Sequence, residues 1–169
     1  MNYFELFEIP VQLKVDANAL KNKFYNLSRK YHPDFHTQDS LEIQQEVLEK
    51  SSLLNKAWNT FQHPDETIKY VLQLKKLLEE EEKYALSPVF LMEVIEINEQ
   101  LMEAKAEGDE PAMEKIRSTI EQFQHNIYAP VKNYIEGYSE NTGSEEELLQ
   151  VKTYYFKKKY LQRILDGLP

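Results

Sequence analysis

A proline at position 33 interrupts a helical pattern and constrains the fold more than any other single residue. The apolar side chains upstream of it recur at the spacing of one helix face: Leu20, Phe24, Leu27 and Tyr31. Pro33 disfavours the helical conformation for the residue before it and has no backbone N–H to donate. We therefore predict a helix from Ala17 to Tyr31 that ends in a loop carrying His32, Pro33 and Asp34.

A second helical pattern follows this loop and runs to about Gln62. Its apolar side chains again keep helical spacing: Ile43, Val47, Leu54, Ala57, Trp58 and Phe61. Asp16 is a candidate N-cap for the first helix, and Ser40 or Asp39 for the second, because their side-chain oxygens can accept the N–H groups of a first turn. Two helices joined by a short loop predict an antiparallel pair, which a further helix follows from Thr67 to Leu78.

The net charge of −9 is unevenly distributed along the chain. Residues 17–31 contain no acidic residue and four basic ones: Lys21, Lys23, Arg29 and Lys30. Residues 93–114 contain one lysine and eight acidic residues: Glu93, Glu96, Glu99, Glu103, Glu107, Asp109, Glu110 and Glu114. We expect the basic helix to bind an acidic partner, and the acidic stretch to repel nucleic acid and favour a basic partner.

The helix pair, its loop and the flanking segments together resemble a J-domain, the module with which DnaJ-like co-chaperones bind Hsp70 chaperones. The flanking segments are residues 1–10 (MNYFELFEIP) and residues 58–65 (WNTFQHPD). The sequence departs from the family at Tyr25 and Asn26, where further basic residues are common, and at Phe35, where Lys or Arg is common.

This resemblance implies that the basic helix and the loop bind an Hsp70 chaperone in its ATP-bound state. The implied chaperone-binding residues are Lys21, Lys23, Arg29, Lys30, His32, Pro33 and Asp34. The basic side chains would steer the approach, Asp34 would bind a basic group of the chaperone, and His32 and Pro33 would fix the shape of the loop. In the family this contact favours ATP hydrolysis, so the catalytic groups belong to the partner.

The chain as a whole is predicted to be all-α, because it has few glycines and no alternating run of β-branched residues. A charge run at Glu79–Lys83 is interpreted as a domain boundary, either as a solvated helix face or as a flexible linker. The predicted parts are residues 1–78, which form the J-domain, residues 79–87, which form a linker, and residues 88–169, which form a C-terminal bundle.

The C-terminal part contains three helical patterns. The first spans about residues 88–107, with Ser87 as a candidate N-cap and Gly108 as a C-terminal stop. Pro130 lies inside the second pattern, so we predict a kink or a break there. The last helix is predicted from Glu145 to Asp166. Short connections between the helices predict an antiparallel three-helix bundle.

The helix at residues 88–107 has two apolar strips. The first predicts the bundle core: Phe90, Val94, Ile97, Leu101 and Ala104. The second lies about 100° away and consists of Leu91, Ile95 and Met102. It is either the contact with another helix of the bundle or a partner-binding patch bordered by Met92 and glutamates. On the last helix, Phe156 also lies off the main apolar stripe.

Residues 90–99 (FLMEVIEINE) resemble the first bundle helix of the HscB-type J-proteins of iron–sulfur cluster assembly. This resemblance extends to most of the chain and implies that the bundle binds the scaffold protein on which clusters are built. The implied scaffold-binding residues are Leu91, Met92, Ile95, Glu96, Glu99, Glu103 and Phe156. The implied function is to stimulate ATP hydrolysis by a specialised Hsp70 and to deliver the scaffold protein to it. The alternative is a J-domain adaptor that recruits Hsp70 to a different client.

Other classes of function have little support in the sequence. His32 and His36 have the spacing of metal ligands on a helix, but Pro33 interrupts that helix and no third ligand is evident. Without cysteine, a phosphate-binding glycine loop or a nucleophile motif, we expect no enzyme activity, metal site or cofactor. Four basic residues in an acidic chain argue against nucleic-acid binding. The lack of a signal-peptide pattern or a long apolar stretch predicts a cytoplasmic protein that does not bind membranes.

Overall fold

The computed structural model describes residues 1–169, and all of its regular structure is helical. Its eight α-helices are α1 (Tyr3–Leu6), α2 (Ala17–Lys30), α3 (Leu41–Phe61), α4 (Pro64–Leu74), α5 (Pro88–Glu107), α6 (Glu110–Tyr128), α7 (Lys132–Glu136) and α8 (Glu145–Asp166). Short 3₁₀ turns lie at Pro33–His36 and Ala129–Val131. The prediction of an all-α fold is confirmed. None of the helices is both long enough and apolar enough to span a membrane.

The chain forms two compact units. The first comprises Met1–Leu74 and Tyr138–Thr142, and the second comprises Lys75–Gly137 and Gly143–Pro169. The observed boundary follows Leu74, so residues 79–87 lie in the second unit. The functional division into residues 1–78, 79–87 and 88–169 stays a prediction.

An aromatic cluster forms much of the core of the first unit. Phe4 and Phe7 are almost fully buried against Phe61 of α3, with ring centroids 5.2 and 5.3 Å away. Trp58 of α3, the only tryptophan, stacks on Phe24 of α2 with centroids 4.6 Å apart and 11° between the rings. α2 has no fully buried residue, and this aromatic stack contributes to its attachment to α3.

The helices that flank the loop begin at the predicted caps. Asp16 accepts a backbone hydrogen bond of 3.3 Å in the first turn of α2, and Ser40 accepts one of 3.3 Å in the first turn of α3. Of the two candidates for α3, Ser40 rather than Asp39 is therefore the cap. The first helix ends at Lys30, so residues 31–40 form the connection.

The helix predicted from Thr67 to Leu78 differs at both ends. α4 already begins at Pro64, because proline needs no hydrogen-bond partner in a first helical turn. It ends at Leu74, and Lys76 then adopts a left-handed conformation with φ of 59°. This backbone conformation cannot continue a right-handed helix, so the helix does not reach Leu78.

The longest helices of the second unit, α5, α6 and α8, surround a common core. Its buried residues are Phe90, Val94, Ile97, Leu101, Ala104, Ile116, Ile120, Leu161 and Ile164. All five residues predicted for the core strip of α5 are among them. Ser87 caps α5 by accepting the N–H of Phe90 at 3.3 Å. Gly108 ends the helix with φ of 64°, a left-handed conformation that favours glycine.

Pro130 breaks the second helical pattern of the bundle. α6 ends at Tyr128, a 3₁₀ turn spans Ala129–Val131, and α7 follows. Because proline has no N–H to donate to the preceding turn, the regular α-helical hydrogen bonding stops. Of the two outcomes predicted for this position, a kink or a break, the structure has the break.

Candidate functional site

The loop after α2 is folded into a compact turn. The N–H of Asp34 donates to Nδ1 of His32 at 3.2 Å, and the N–H of Phe35 donates to the carbonyl of His32 at 3.1 Å. Pro33 begins the 3₁₀ turn, where its missing N–H needs no partner. The side chain of Asp34 is 86% exposed, so the turn presents this carboxylate to the solvent.

His36 also stabilises this loop, through hydrogen bonds to one residue before the tripeptide and one after it. Its Nε2 lies 2.9 Å from the carbonyl oxygen of Lys30, and its Nδ1 lies 2.7 Å from a carboxylate oxygen of Asp39. The hydrogen bond with the Lys30 carbonyl, followed by that with Asp39, raises the pKa of His36 above its ordinary value of 6.5. His36 is thus engaged with protein groups, and no cluster of three or more His, Cys, Asp or Glu side chains could hold a metal ion.

The four basic residues of α2 do not form one patch. With about 100° of rotation per residue, Lys23 and Lys30 border the apolar stripe on one side and Lys21 borders it on the other. The ammonium of Lys23 also lies 3.6 Å from the carboxylate of Glu8. Lys21, Arg29 and Lys30 are exposed, whereas Lys23 is half-buried. Arg29 lies on the side opposite the stripe, so the positive charge is spread around the helix instead of forming a compact site.

A groove of about 440 Å³ runs between the loop and the first turns of α3. Asp34 and His36 line it on the loop side, and Leu41 and Leu48 line it on the helix side. Both leucines are exposed, by 83% and 56%, as is Phe35 in the loop, by 70%. The sequence analysis did not select the two leucines. Their i, i+7 spacing, opposite the buried stripe of α3, was the available signal.

The second apolar strip of α5 is largely uncovered. Ile95 and Met102 are 55% and 71% exposed, and the neighbouring Met92 is 71% exposed. Leu91, by contrast, is half-buried against the core of the second unit. Contact with another bundle helix therefore accounts for Leu91 but not for Ile95 or Met102. Exposed carboxylates lie along the same side of the helix: Glu96, Glu99 and Glu103.

Phe156 of α8 packs against the connecting segment, which we define as residues 79–87. Its ring stacks on that of Tyr84, with centroids 4.5 Å apart and 2° between the planes. The hydroxyl of Tyr84 lies 2.7 Å from Oγ1 of Thr153. Because the Thr153 hydroxyl donates to the carbonyl of Leu149, Tyr84 is the donor in this pair. The stack with Tyr84 covers one face of the Phe156 ring.

An ion pair attaches the connecting segment at a second point. The carboxylate of Glu82 lies 2.7 Å from the ammonium of Lys152, and the two side chains are only 19% and 14% exposed. The hydrogen bond from Lys152 lowers the pKa of the Glu82 carboxyl below its ordinary value. The same ammonium lies 5.6 Å from the centre of the Tyr84 ring. The segment is not helical, which differs from the solvated helix face considered for its charge run.

Comparison with known proteins covers both units. Residues 86–168 match the family model described as the HSCB C-terminal oligomerisation domain. The crystal structure of the human co-chaperone protein HscB is similar over 99% of this chain and 80% of the human one, with a TM-score of 0.79 and 28% identity. These matches identify the chain as an HscB-type co-chaperone. The chaperone HscB from Vibrio cholerae is similar over 99% of both chains, with a TM-score of 0.67 and 26% identity.

The similarity to HscB proteins confirms the resemblance seen in the sequence and supports a co-chaperone of iron–sulfur cluster assembly. The HscB fold carries the predicted chaperone-binding residues on α2 and the following turn, in the first unit. It carries the predicted scaffold-binding residues on α5 and α8, in the second unit. Most of them are exposed, whereas Lys23, Leu91 and Phe156 are partly buried by other groups of the protein. Their binding roles stay predictions.

Proposed function

We propose that this chain stimulates ATP hydrolysis by a specialised Hsp70 and delivers the iron–sulfur cluster scaffold protein to it. The observation that carries the proposal is that one HscB-family chain displays two separate exposed surfaces. One is the turn at residues 32–34, and the other is the α5 surface, defined here as Met92, Ile95, Glu96, Glu99 and Glu103. The chain acts as an adaptor and not as an enzyme, because hydrolysis takes place in the chaperone.

The turn at residues 32–34 suits a short-range contact with the ATP-bound chaperone. Pro33 and the two hydrogen bonds to His32 fix the turn in advance, so little conformational entropy is lost on binding. The exposed carboxylate of Asp34 can then make a charge-assisted hydrogen bond with a basic group of the chaperone. The exposed cations of α2 favour the encounter with an acidic surface.

The α5 surface suits a protein partner. Met92 and Ile95 provide exposed apolar area, and the flexible Met side chain adapts to the shape that it meets. Carboxylates beside them provide a charged rim, which orients a partner with basic groups. This combination supports the scaffold protein as the ligand of the second unit.

Holding both partners on one chain raises the effective concentration of the scaffold protein near the chaperone. The chaperone is then stimulated to hydrolyse ATP while its client is within reach. We place this activity in the cytoplasm, as predicted from the sequence.

The direct test measures ATP hydrolysis by the iron–sulfur Hsp70 with this chain, with and without the scaffold protein. We expect stimulation by the chain alone and a further increase with scaffold. His32→Gln should abolish the stimulation, because glutamine lacks the ring nitrogen that receives the Asp34 N–H. A chain that is folded but does not stimulate would contradict the proposal, whereas stimulation that scaffold leaves unchanged would indicate a different client.

The matched control is His63→Gln. His63 begins a second His-Pro-Asp tripeptide, but its proline is the first residue of α4 and not part of a loop. We expect this variant to stimulate the chaperone as the unchanged chain does, with circular dichroism confirming that both variants are folded.

A further inference from the structure

We infer that His36 is a positioning residue of the chaperone-binding loop. Its ring, as a doubly protonated imidazolium, donates one hydrogen bond to the end of α2 and one to Asp39, just before α3. We call this pair of hydrogen bonds the clamp. Its effect on the chaperone rests on the proposed function, whereas the clamp itself is a property of this chain alone. His36 is not one of the residues selected from the sequence for chaperone binding, and it follows the tripeptide by two positions.

The imidazole ring joins the two sides of the loop. On one side it bonds to the carbonyl of Lys30, the last residue of α2. On the other side it bonds to the carboxylate of Asp39, next to Ser40, the cap of α3. Asp39 is itself held to α3, because Nε2 of Gln44 donates to its carbonyl at 2.9 Å. The tripeptide at residues 32–34 lies between Lys30 and His36, so the clamp closes the chain around it.

Both partners of the ring are acceptors, and this determines its protonation. A backbone carbonyl and a carboxylate have no proton to give, so both ring nitrogens must donate. Neutral imidazole carries one N–H and would place the lone pair of its other nitrogen against an oxygen less than about 3 Å away. Imidazolium carries two N–H groups. The observed distances of 2.9 and 2.7 Å therefore correspond to the cation.

The surroundings favour a positive charge on His36. The carbonyl of Lys30 is among the last four of α2, which lack partners within the helix and form the negative end of its dipole. Asp34 contributes a carboxylate to the groove that His36 lines, and α3 contributes the uncharged Gln44 and Gln45. The ammonium of Lys30 itself lies 5.2 Å from the centre of the Tyr31 ring. The raised pKa of His36 agrees with this arrangement.

The clamp gives the loop a defined dependence on pH. A histidine whose pKa is raised in the folded state contributes its interactions fully below its ordinary pKa of 6.5. Those interactions are lost as the pH rises through the raised value. The loop is then held at one end only, and the apparent affinity for the chaperone falls with the fraction of chains whose loop is ordered.

The first experiment needs no partner. A nitrogen-15 NMR titration of the full chain should show His36 protonated on both ring nitrogens, with a midpoint above 6.5. Amide hydrogen exchange of residues 32–39 should accelerate as the pH rises through this midpoint, beyond the intrinsic effect of pH, and should already be fast in His36→Gln. A midpoint at or below 6.5 would overturn the inference.

The second experiment measures stimulation of the Hsp70 ATPase across pH with three variants. In His36→Gln, the concentration for half-maximal stimulation should rise about tenfold at low pH if about a tenth of the chains keep an ordered loop. The difference from the unchanged chain should shrink as the pH rises. His36→Arg, which keeps two N–H donors and the charge at every pH, should restore stimulation and remove the pH dependence. His125→Gln, which replaces an exposed histidine of α6, is the matched control and should behave as the unchanged chain does at every pH.

An equal loss in His36→Gln at every pH, without rescue by arginine, would mean that the ring merely fills space, and would overturn the inference. If the unchanged chain fails to stimulate at any pH, the proposed function fails. The NMR titration then decides about the clamp by itself.

Discussion

At the scale of single residues, the same tripeptide occurs twice in this chain and has two different structural roles. Residues 32–34 and residues 63–65 both read His-Pro-Asp. In the first copy, the proline starts an exposed 3₁₀ turn and Asp34 projects into the solvent. In the second copy, the proline starts α4, and Nδ1 of His63 lies 2.8 Å from the carbonyl of Asn59 at the end of α3. The neighbours of the tripeptide therefore decide whether it forms a helix boundary or a presented loop.

Tyr84 is the residue whose replacement tests how the connecting segment is attached. Tyr84→Ala removes both the ring stacked on Phe156 and the hydroxyl bonded to Thr153, whereas Tyr84→Phe removes only the hydroxyl. A glutamate-specific protease should cleave after residues 79–82 at least about threefold faster in Tyr84→Ala, because local opening exposes the backbone. Tyr84→Phe should give an intermediate rate.

The control for this experiment is Tyr25→Ala, which removes a half-exposed tyrosine from α2 and should leave the cleavage rate unchanged. Equal cleavage of Tyr84→Ala and the unchanged chain would show that the ion pair between Glu82 and Lys152 is sufficient to hold the segment.

At the scale of elements, α5 combines two unlike faces. Ile95 and Ile97 are two positions apart, which places them about 160° from each other around the axis. Ile97 is 7% exposed and belongs to the bundle core, whereas Ile95 is 55% exposed. The helix therefore stabilises the second unit with one face and leaves the other for a partner.

The same substitution at these two positions should separate stability from binding. Ile97→Ala should lower the free energy of unfolding by about 2–5 kcal/mol, because it leaves a cavity in the core. Ile95→Ala should change it by less than about 0.5 kcal/mol, yet weaken scaffold binding by about tenfold if it is a central contact. Denaturant titration and calorimetry measure the two quantities.

A scaffold affinity that is unchanged in Met92→Ala/Ile95→Ala, with stability retained, would contradict the binding role of the α5 surface. Leu149→Ala, which removes an exposed leucine from α8, controls for nonspecific loss of apolar area.

The helix ends that are set by a capping residue or a glycine could be predicted because their causes are local. Asp16, Ser87 and Gly108 act within one helical turn of their own positions, so the sequence around each is sufficient. The stack of Tyr84 on Phe156 joins residues far apart in the chain, and no periodicity indicates it. A helical projection of α5 contains no information about such distant contacts. It therefore could not distinguish the covered residues of the second apolar strip from the exposed ones. The ion pairs of Lys23 with Glu8 and of Lys152 with Glu82 could likewise not be predicted from the sequence.

At the scale of the whole molecule, each unit carries one of the two proposed binding surfaces. The turn at residues 32–34 belongs to the first unit, and the α5 surface belongs to the second. An adaptor of this kind works only when one chain holds both partners, because the gain comes from their shared tether. Damage to either surface should therefore have different consequences in mixtures.

Mixing experiments test this property. An excess of His32→Gln chains should occupy the scaffold protein without engaging the chaperone, and so suppress the extra stimulation that scaffold gives to unchanged chains. An excess of Met92→Ala/Ile95→Ala chains should leave the scaffold available and should itself raise ATP hydrolysis, because these chains keep the turn at residues 32–34. Both effects are measured as the rate of ATP hydrolysis at a fixed concentration of the unchanged chain and rising concentrations of the variant. Equal suppression by the two variants would contradict an adaptor with separate surfaces.

Trp58, which stacks on Phe24, also gives the molecule a built-in fluorescent label. Indole fluorescence arises from the first unit alone, because the second unit contains tyrosine and phenylalanine but no tryptophan. Far-ultraviolet circular dichroism, in contrast, records the helices of both units. Coincident melting curves from the two signals would indicate one cooperative transition, and separated curves would reveal which unit opens first. The chain can thus report, without any attached dye, on the state of the half that presents the loop.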